Sequence, residues 1–285
     1  MIELPENWQD YALIDAGGGE KLERWGKIIT VRPEPQAIWP RVDPNPWQNP
    51  HMYYHRSKAG GGHWENLLPT PQSWDISYEK LRFKIRPTGF KHMGLFPEQA
   101  VNWRWMADKI TAANRQVKIL NLFAYTGGAT VACLAAGASV THIDAARGMN
   151  AQAKENINLS GLGDAPHRVL ADDVVKFVQR EERRNSLYDG IIMDPPVYGR
   201  GPKGEMWKLE DRLYELAVAA SKILTSRPLF FLINAYTAGL SPAVYGNILQ
   251  WVMKGRGGHT GFGEVGLQAE SGIILPCGMY ARWEA

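Results

Sequence analysis

The chain has 285 residues, 45% of them hydrophobic, and a formal net charge of +3, so it is long enough for one large domain or an ordinary domain plus a small one, and too apolar for global disorder. Two cysteines, Cys133 and Cys277, are too few for a disulfide scaffold and point to a reducing, cytoplasmic setting. MIELPENWQD has no basic segment followed by an apolar run, no stretch approaches the length of a membrane span, and the mild positive charge permits an acidic partner such as RNA without requiring one.

Up to about Arg86 the chain is rich in Pro, Trp, Gly and His. Strand-like pieces, YALID (11–15) and KIITV (27–31), are broken by RPEPQ and DPNPWQNP, which predicts a small β-rich module over residues 1–86. His51, His55 and His63 lie here without acidic or cysteine companions at ligand spacing, so no metal is expected. The module closes on EKLRFKIRP. Lys80, Arg82, Lys84 and Arg86 alternate with apolar residues, and at a strand's period of two all four cations share one face. Such a stripe suits a phosphate backbone, and equally a solvated strand face.

Residues 87–285 have a different texture. AVNWRWMADKITAA (100–113) has a helical pattern. Buried strand patterns follow at 118–124, 139–144, 166–171, 190–194 and 229–235. They alternate with helical patterns at 128–137, 147–161, 172–185, 205–224 and 241–255. FGEVGL (262–267) and GIILPCGMYARW (272–283) suggest a closing hairpin. The alternation predicts an α/β domain, doubly wound around a mostly parallel sheet.

In such a sheet, ligands bind at the carboxyl ends of the strands. The first strand ends in AYTGGAT, where a Gly pair lets the backbone approach a ligand and the next helix offers free N–H groups to an anion. The second ends at Asp144, a carboxylate able to accept both hydroxyls of a ribose. The third ends in ADDV, placing Asp172 and Asp173 near an adenine amino group; an Asp here is also a common helix cap. The fourth ends in DPPVYGRG (194–201). Asp194 and the carbonyls of Pro195 and Pro196 suit an exocyclic amine, the prolines stiffen the segment, and Tyr198 offers an aromatic face. Arg200 and Lys203 add charge beside it.

Taken together, NLFAYTGGATVA, Asp144, ADDV and DPPVYGRG resemble the class I S-adenosylmethionine-dependent methyltransferases, and more closely the group containing large-subunit ribosomal RNA methyltransferases. GLFPEQAVNWRWM (94–106) is similar to that group's GLF-x-x-Q lead-in. The resemblance covers roughly residue 80 onward; the first eighty residues do not resemble the RNA-binding PUA domain that some members carry. It implies a Rossmann-like sheet and S-adenosylmethionine as cofactor. It further implies that Phe123, Ala124, Tyr125, Thr126, Gly127 and Gly128 wrap the methionine end. Asp144 would bind the ribose, with Ala145 and Ala146 leaving room. Asp172 would meet the adenine amino group, Asp173 would cap the helix, and Gln99 with Phe96 would wall the pocket.

Methyl transfer to carbon-5 of cytosine needs a cysteine nucleophile. Neither DPPVYGRG nor INAYTAGLS after the fifth strand supplies one, and Cys133 and Cys277 suit core positions. The expected function is methylation of a base nitrogen in ribosomal or other RNA, with Lys80, Arg82, Lys84, Arg86 and Arg200 on the substrate. A small-molecule or protein methyltransferase, or a non-catalytic RNA-binding protein keeping this fold, are the alternatives.

Overall fold

A computed structural model describes residues 1–285 except 58–60, 201–203, 205 and 237–238, and the side chain of Arg200 lies outside the described set. The chain divides into two compact units. One comprises Met1–Glu3, Val101–Val265 and Gly278–Ala285; the other comprises Leu4–Ala100 and Gly266–Cys277.

After a two-residue strand β1 (Ile2–Glu3), the smaller unit forms a five-stranded sheet of β2 (Tyr11–Gly17), β3 (Glu20–Trp25), β4 (Ile28–Pro33), β5 (Met52–Arg56) and β6 (Gly62–Asn66), in that order. All neighbours are antiparallel except β4 and β5. The β2–β3 turn is Gly18–Gly19, with φ of 63° and 80°, a conformation that a side chain would strain. Residues from late in the chain join this unit. Leu13 bridges Ala269, the Glu270 N–H donates to the Leu13 carbonyl at 2.9 Å, and the Ser271 hydroxyl donates to Asp15 at 2.7 Å.

This unit buries charge. Glu23, fully buried on β3, takes a two-pronged contact from Arg32 on β4, Nε to Oε2 at 2.5 Å and Nη2 to Oε1 at 2.8 Å. The Tyr11 hydroxyl donates to the same carboxylate at 2.8 Å. Burial alone would raise the pKa of Glu23; Arg32, Lys21 and Tyr11 outweigh it and hold the group at about 2. The histidines are tied locally: Nδ1 of His51 accepts the Ile29 N–H at 3.2 Å, and Nε2 of His55 lies 2.7 Å from Glu65.

The basic stripe falls on a hairpin of β7 (Trp74–Tyr78) and β8 (Leu81–Ile85). Ile76, Tyr78, Phe83 and Ile85 are buried, as the alternation requires, while Lys80, Arg82 and Arg86 are exposed. Lys84 is half-buried and pairs with Asp75 across the hairpin at 2.5 Å.

The larger unit contains α1 (Ala100–Ala112), β9 (Lys118–Leu122), α2 (Gly128–Ala135), β10 (Ser139–Asp144), α3 (Arg147–Leu159), β11 (His167–Ala171), α4 (Val174–Arg183) and β12 (Gly190–Met193). A small hairpin of β13 (Tyr198–Arg200) and β14 (Met206–Lys208) follows, then α5 (Leu209–Lys222), β15 (Phe230–Ala235), α6 (Pro242–Val252), β16 (His259–Gln268) and β17 (Ile274–Glu284). β16 and β17 each run on into the residues assigned to the smaller unit. The eight-stranded sheet has the order β1-β16-β17-β15-β12-β9-β10-β11, with β9 to β12 and β15 parallel and β17 antiparallel to β15. The crossovers step from β9 to β10 and β11 on one side, then return to β12 and β15 on the other. Because such crossovers are right-handed, helices lie on both faces, and β9 and β12 meet at the switch point. Leu120, Leu122, Ile191, Met193, Phe231 and Ile233 from alternate strand positions pack with α4, α5 and α6 in one buried cluster.

This is the doubly wound, mostly parallel sheet with a β-rich N-terminal module that the alternation predicts. Two local expectations are corrected. Strand β9 stops at Leu122, because Phe123 and Tyr125 take positive φ of 56° and 50° and break the ladder. The helix expected over 205–224 begins only at Leu209. Met206–Lys208 instead pairs with Tyr198–Arg200, so DPPVYGRG runs into a hairpin rather than an open loop.

Candidate active site

The segment after β9 turns under backbone control. Ala124 N–H donates to the Ile143 carbonyl at 3.0 Å, Gly127 N–H to the Ala124 carbonyl at 3.0 Å, and Asn156 Nδ2 to the Thr126 carbonyl at 2.8 Å. Gly127 has a φ of 84°, and a Cβ there would sit 3.0 Å from that of Ala153, so glycine fits on two counts. Gly128 opens α2, whose first-turn N–H groups have no carbonyl partner within the helix.

Below this loop lies a buried polar string. Asn121 Nδ2 donates to the Thr130 hydroxyl at 2.9 Å, and that hydroxyl is hydrogen-bonded to Nδ1 of His142, also at 2.9 Å. Burial pushes the pKa of His142 down to about 3, so the ring is neutral.

Asp144, half-buried at the end of β10, is preset by the backbone. Its Oδ2 accepts the Tyr125 N–H at 2.9 Å and its Oδ1 the Ala146 N–H at 2.8 Å. Burial raises its pKa, and the two backbone bonds oppose the rise. Each oxygen keeps a further lone pair, so the carboxylate fits a vicinal diol. Ala145 follows it, half-buried.

At the end of β11, Asp172 is engaged within the protein. Its Oδ2 is ion-paired with Arg180 and its Oδ1 accepts the Asp173 N–H at 2.8 Å. Asp173 caps α4, accepting the Lys176 N–H at 2.8 Å. In the smaller unit, Gln99 is buried in the turn before α1, and its N–H donates to the Phe96 carbonyl at 3.1 Å.

The Asp194-Pro195-Pro196 segment starts where β12 leaves β9. Asp194 N–H donates to the Leu122 carbonyl at 3.3 Å, so this segment and the glycine loop grow from adjacent strand ends. Asp194 is half-buried and Pro195 buried. The Pro196 carbonyl accepts the Trp207 indole N–H at 2.6 Å. Tyr198 is 64% exposed. Cross-strand neighbours in the hairpin pair Tyr198 with Lys208 and Gly199 with Trp207, which puts Tyr198 on the face opposite Trp207. The Arg200 side chain and Lys203 lie outside the described residues.

Sequence reasoning missed Trp207, which is buried and packs on Phe123 with ring centroids 4.9 Å apart. MWKLEDRLYEL reads as one amphipathic helix, and only pairing with β13 makes its first residues a strand. Cys133 is buried within α2, where burial pushes its thiol up; burial does the same to Cys277. Among the described residues no cluster of three metal-ligating side chains is present, and no helix is long and apolar enough to cross a membrane.

Residues 47–228 match a family model described as S-adenosylmethionine-dependent methyltransferase. A crystal structure of an S-adenosylmethionine-dependent methyltransferase from Agrobacterium tumefaciens is similar over 100% of this chain and 93% of that one, with a TM-score of 0.95 and 38% identity. The curated ribosomal RNA large subunit methyltransferase K/L of Shewanella frigidimarina is 32% identical over 146 residues, covering 50% of this chain and 20% of the relative. The protein of the same name from Pseudoalteromonas atlantica is 27% identical over 219 residues, covering 70% of this chain and 30% of that one. The chain thus spans less than a third of the length of these two curated relatives.

Proposed function

Since the chain belongs to the S-adenosylmethionine-dependent methyltransferases, we propose that it methylates a base nitrogen of ribosomal or other RNA. The observation that carries the nitrogen assignment is the hydrogen bond from Asp194 to Leu122, which seats an amine-binding segment beside the cofactor loop.

S-adenosylmethionine supplies an electrophilic methyl on a sulfonium. The residues present fit it. Asp144, braced by two backbone donors, takes the ribose hydroxyls. The loop from Phe123 to Gly128 and the first turn of α2 take the methionine end. Asp172 reaches the adenine amino group, sharing its carboxylate with Arg180. Ala145 leaves space beside the ribose, and Asp173 fixes the start of α4.

The Asp194 carboxylate and the Pro195 and Pro196 carbonyls accept the N–H groups of the acceptor, which turns the nitrogen lone pair toward the methyl. Asp194 is the group placed to take the proton that the nitrogen sheds. Carbon-5 chemistry would need a thiolate, and burial keeps both cysteines as thiols.

RNA is favoured as the substrate by the names of the curated relatives and by the stripe of Lys80, Arg82, Lys84 and Arg86. Arg200, close in sequence to Asp194, would supply a further cation for the substrate. On this reading residues 1–86 bind substrate, residues 87–285 carry out the transfer, and the enzyme works in the cytoplasm, where its two free thiols stay reduced. The test is mass spectrometry of nucleosides from RNA of a deletion strain. One methylated nucleoside should be lost and be restored when that RNA is incubated with the purified protein and S-adenosylmethionine. Identical profiles, with no transfer in vitro, would remove RNA as the substrate.

A further inference from the structure

We propose that Trp207 is the positioning residue of the acceptor site, fixing the Asp-Pro-Pro segment against the cofactor loop through one indole ring. This rests on the reading of Asp194, Pro195 and Pro196 as the amine cradle.

The segment is held at its start, at its end and between them. At its start, Asp194 N–H is bonded to Leu122. At its end, the Val197 carbonyl accepts the N–H of Leu209 at 3.0 Å, and Leu209 is locked in the core. Between these points the prolines have no N–H with which to anchor themselves, and their φ is already set by the ring. Of the ψ rotations that remain, the one at Pro196 turns the peptide plane that carries its carbonyl. That carbonyl is the group that Trp207 Nε1 grips at 2.6 Å.

The grip requires its surroundings. Trp207 lies opposite Gly199 in the hairpin. A Cβ at Gly199 would stand 3.3 Å from Pro196 Cγ and 3.7 Å from Trp207 Cβ, so glycine is what lets the two strands close over the proline. Trp207 is 7% exposed, so its N–H has little water to bond instead. Its ring also packs at 54° on Phe123, the first residue of the cofactor loop.

Two consequences follow. Trp207 fixes the direction of the Pro196 carbonyl, which with the Asp194 carboxylate and the Pro195 carbonyl makes up the proposed cradle. The cofactor loop and the acceptor cradle are also tied to one rigid side chain. In-line transfer depends on the distance and angle between methyl and nucleophile, and small misplacements there cost rate more than binding.

The test compares Trp207→Phe, which keeps a ring against Phe123 but loses the N–H, with Trp207→Ala, which loses both. Two measurements are made. In deuterium exchange, the 197–199 amides of Trp207→Phe should exchange several-fold faster than wild type, while its S-adenosylmethionine affinity stays within about twofold; Trp207→Ala should weaken that affinity as well. In methyl transfer to total RNA from the deletion strain, Trp207→Phe should lose about tenfold or more in kcat, with KM for RNA within about twofold. A packing role alone would lower thermal stability and leave kcat of the folded fraction unchanged. If Trp207→Phe does not fold, Gly199→Ala crowds Pro196 Cγ at 3.3 Å, meets the indole at the ordinary contact distance of 3.8 Å to Cδ1, and should show the same loss in kcat. Exchange at 197–199 equal to wild type overturns the proposal whether or not any RNA is methylated. So does an unchanged kcat in an active enzyme. Faster exchange in a protein that methylates no RNA would keep the clamp and discard the RNA reading.

Discussion

The backbone N–H of Tyr125 points at Oδ2 of Asp144 at 2.9 Å because Tyr125 adopts a left-handed φ of 50° that few aromatic residues take. Strain of this kind persists where surrounding structure demands it, and here it orients a carboxylate at the end of the neighbouring strand. Asp144→Ala should therefore weaken S-adenosylmethionine binding by about 1.5–3 kcal/mol, the scale of lost charge-assisted hydrogen bonds. Calorimetry checks it. Burial raises the pKa of Asp144 above 3.8, and only the anion accepts from both hydroxyls without a proton of its own. Affinity should thus fall as pH is lowered, starting at a higher pH than an ordinary aspartate would give, and Asp144→Asn should show a flat profile.

Asp194→Ala should lower kcat by about two orders of magnitude or more and leave cofactor affinity nearly intact, since its proposed partner is the acceptor amine. Tyr198→Ala should mainly raise KM, because an exposed ring beside the site acts on bound substrate and transition state alike. If cofactor titration shows that Asp194→Ala abolishes S-adenosylmethionine binding, the carboxylate belongs to the cofactor.

For the basic stripe, Lys80 and Arg82 are the informative choice, because both are exposed whereas Lys84 is half-buried. Replacing both with Gln should reduce the slope of log RNA affinity against log salt by about two times 0.7–0.9. A slope equal to that of wild type would make the stripe a solvated face.

Glu23→Gln should destabilise the protein by about 3–5 kcal/mol, since it leaves the buried Arg32 guanidinium without its counter-charge. The folded pKa of Glu23, about 2, lies below the ordinary value of 4.5. Its contribution is therefore complete above about 4.5 and is lost as pH falls from there toward 2. Denaturant titrations across that window should show wild type losing stability more steeply than Glu23→Gln.

Much of the larger unit was legible in the sequence because a parallel strand buried on both faces is an uninterrupted apolar run, as in GIIMD and LFFLINA. Asp194 was legible as the acid that follows the apolar run GIIM, and Asp144 as the acid that closes the mixed strand SVTHID. The Glu23–Arg32 pair was not, since EKLERW and ITVRP look like strands showing their charges to water, and only the register with Tyr11 buries them. Trp207 was hidden differently. Its strand exists through pairing with Tyr198–Arg200, and no local pattern in MWKLEDRL separates it from the helix that follows.

The crossing of the two units by late residues constrains how the chain is made. Asp15 is synthesised 256 residues before Ser271, and Leu13 is as far ahead of Ala269 and Glu270, which bond to the same strand. The smaller unit therefore cannot be completed until residues 269–271 have emerged. Until then its sheet lacks one partner segment, and such long-range closure is slow. Cells short of the chaperones that bind nascent chains should accumulate this protein in aggregates whose protease-sensitive part is residues 4–100.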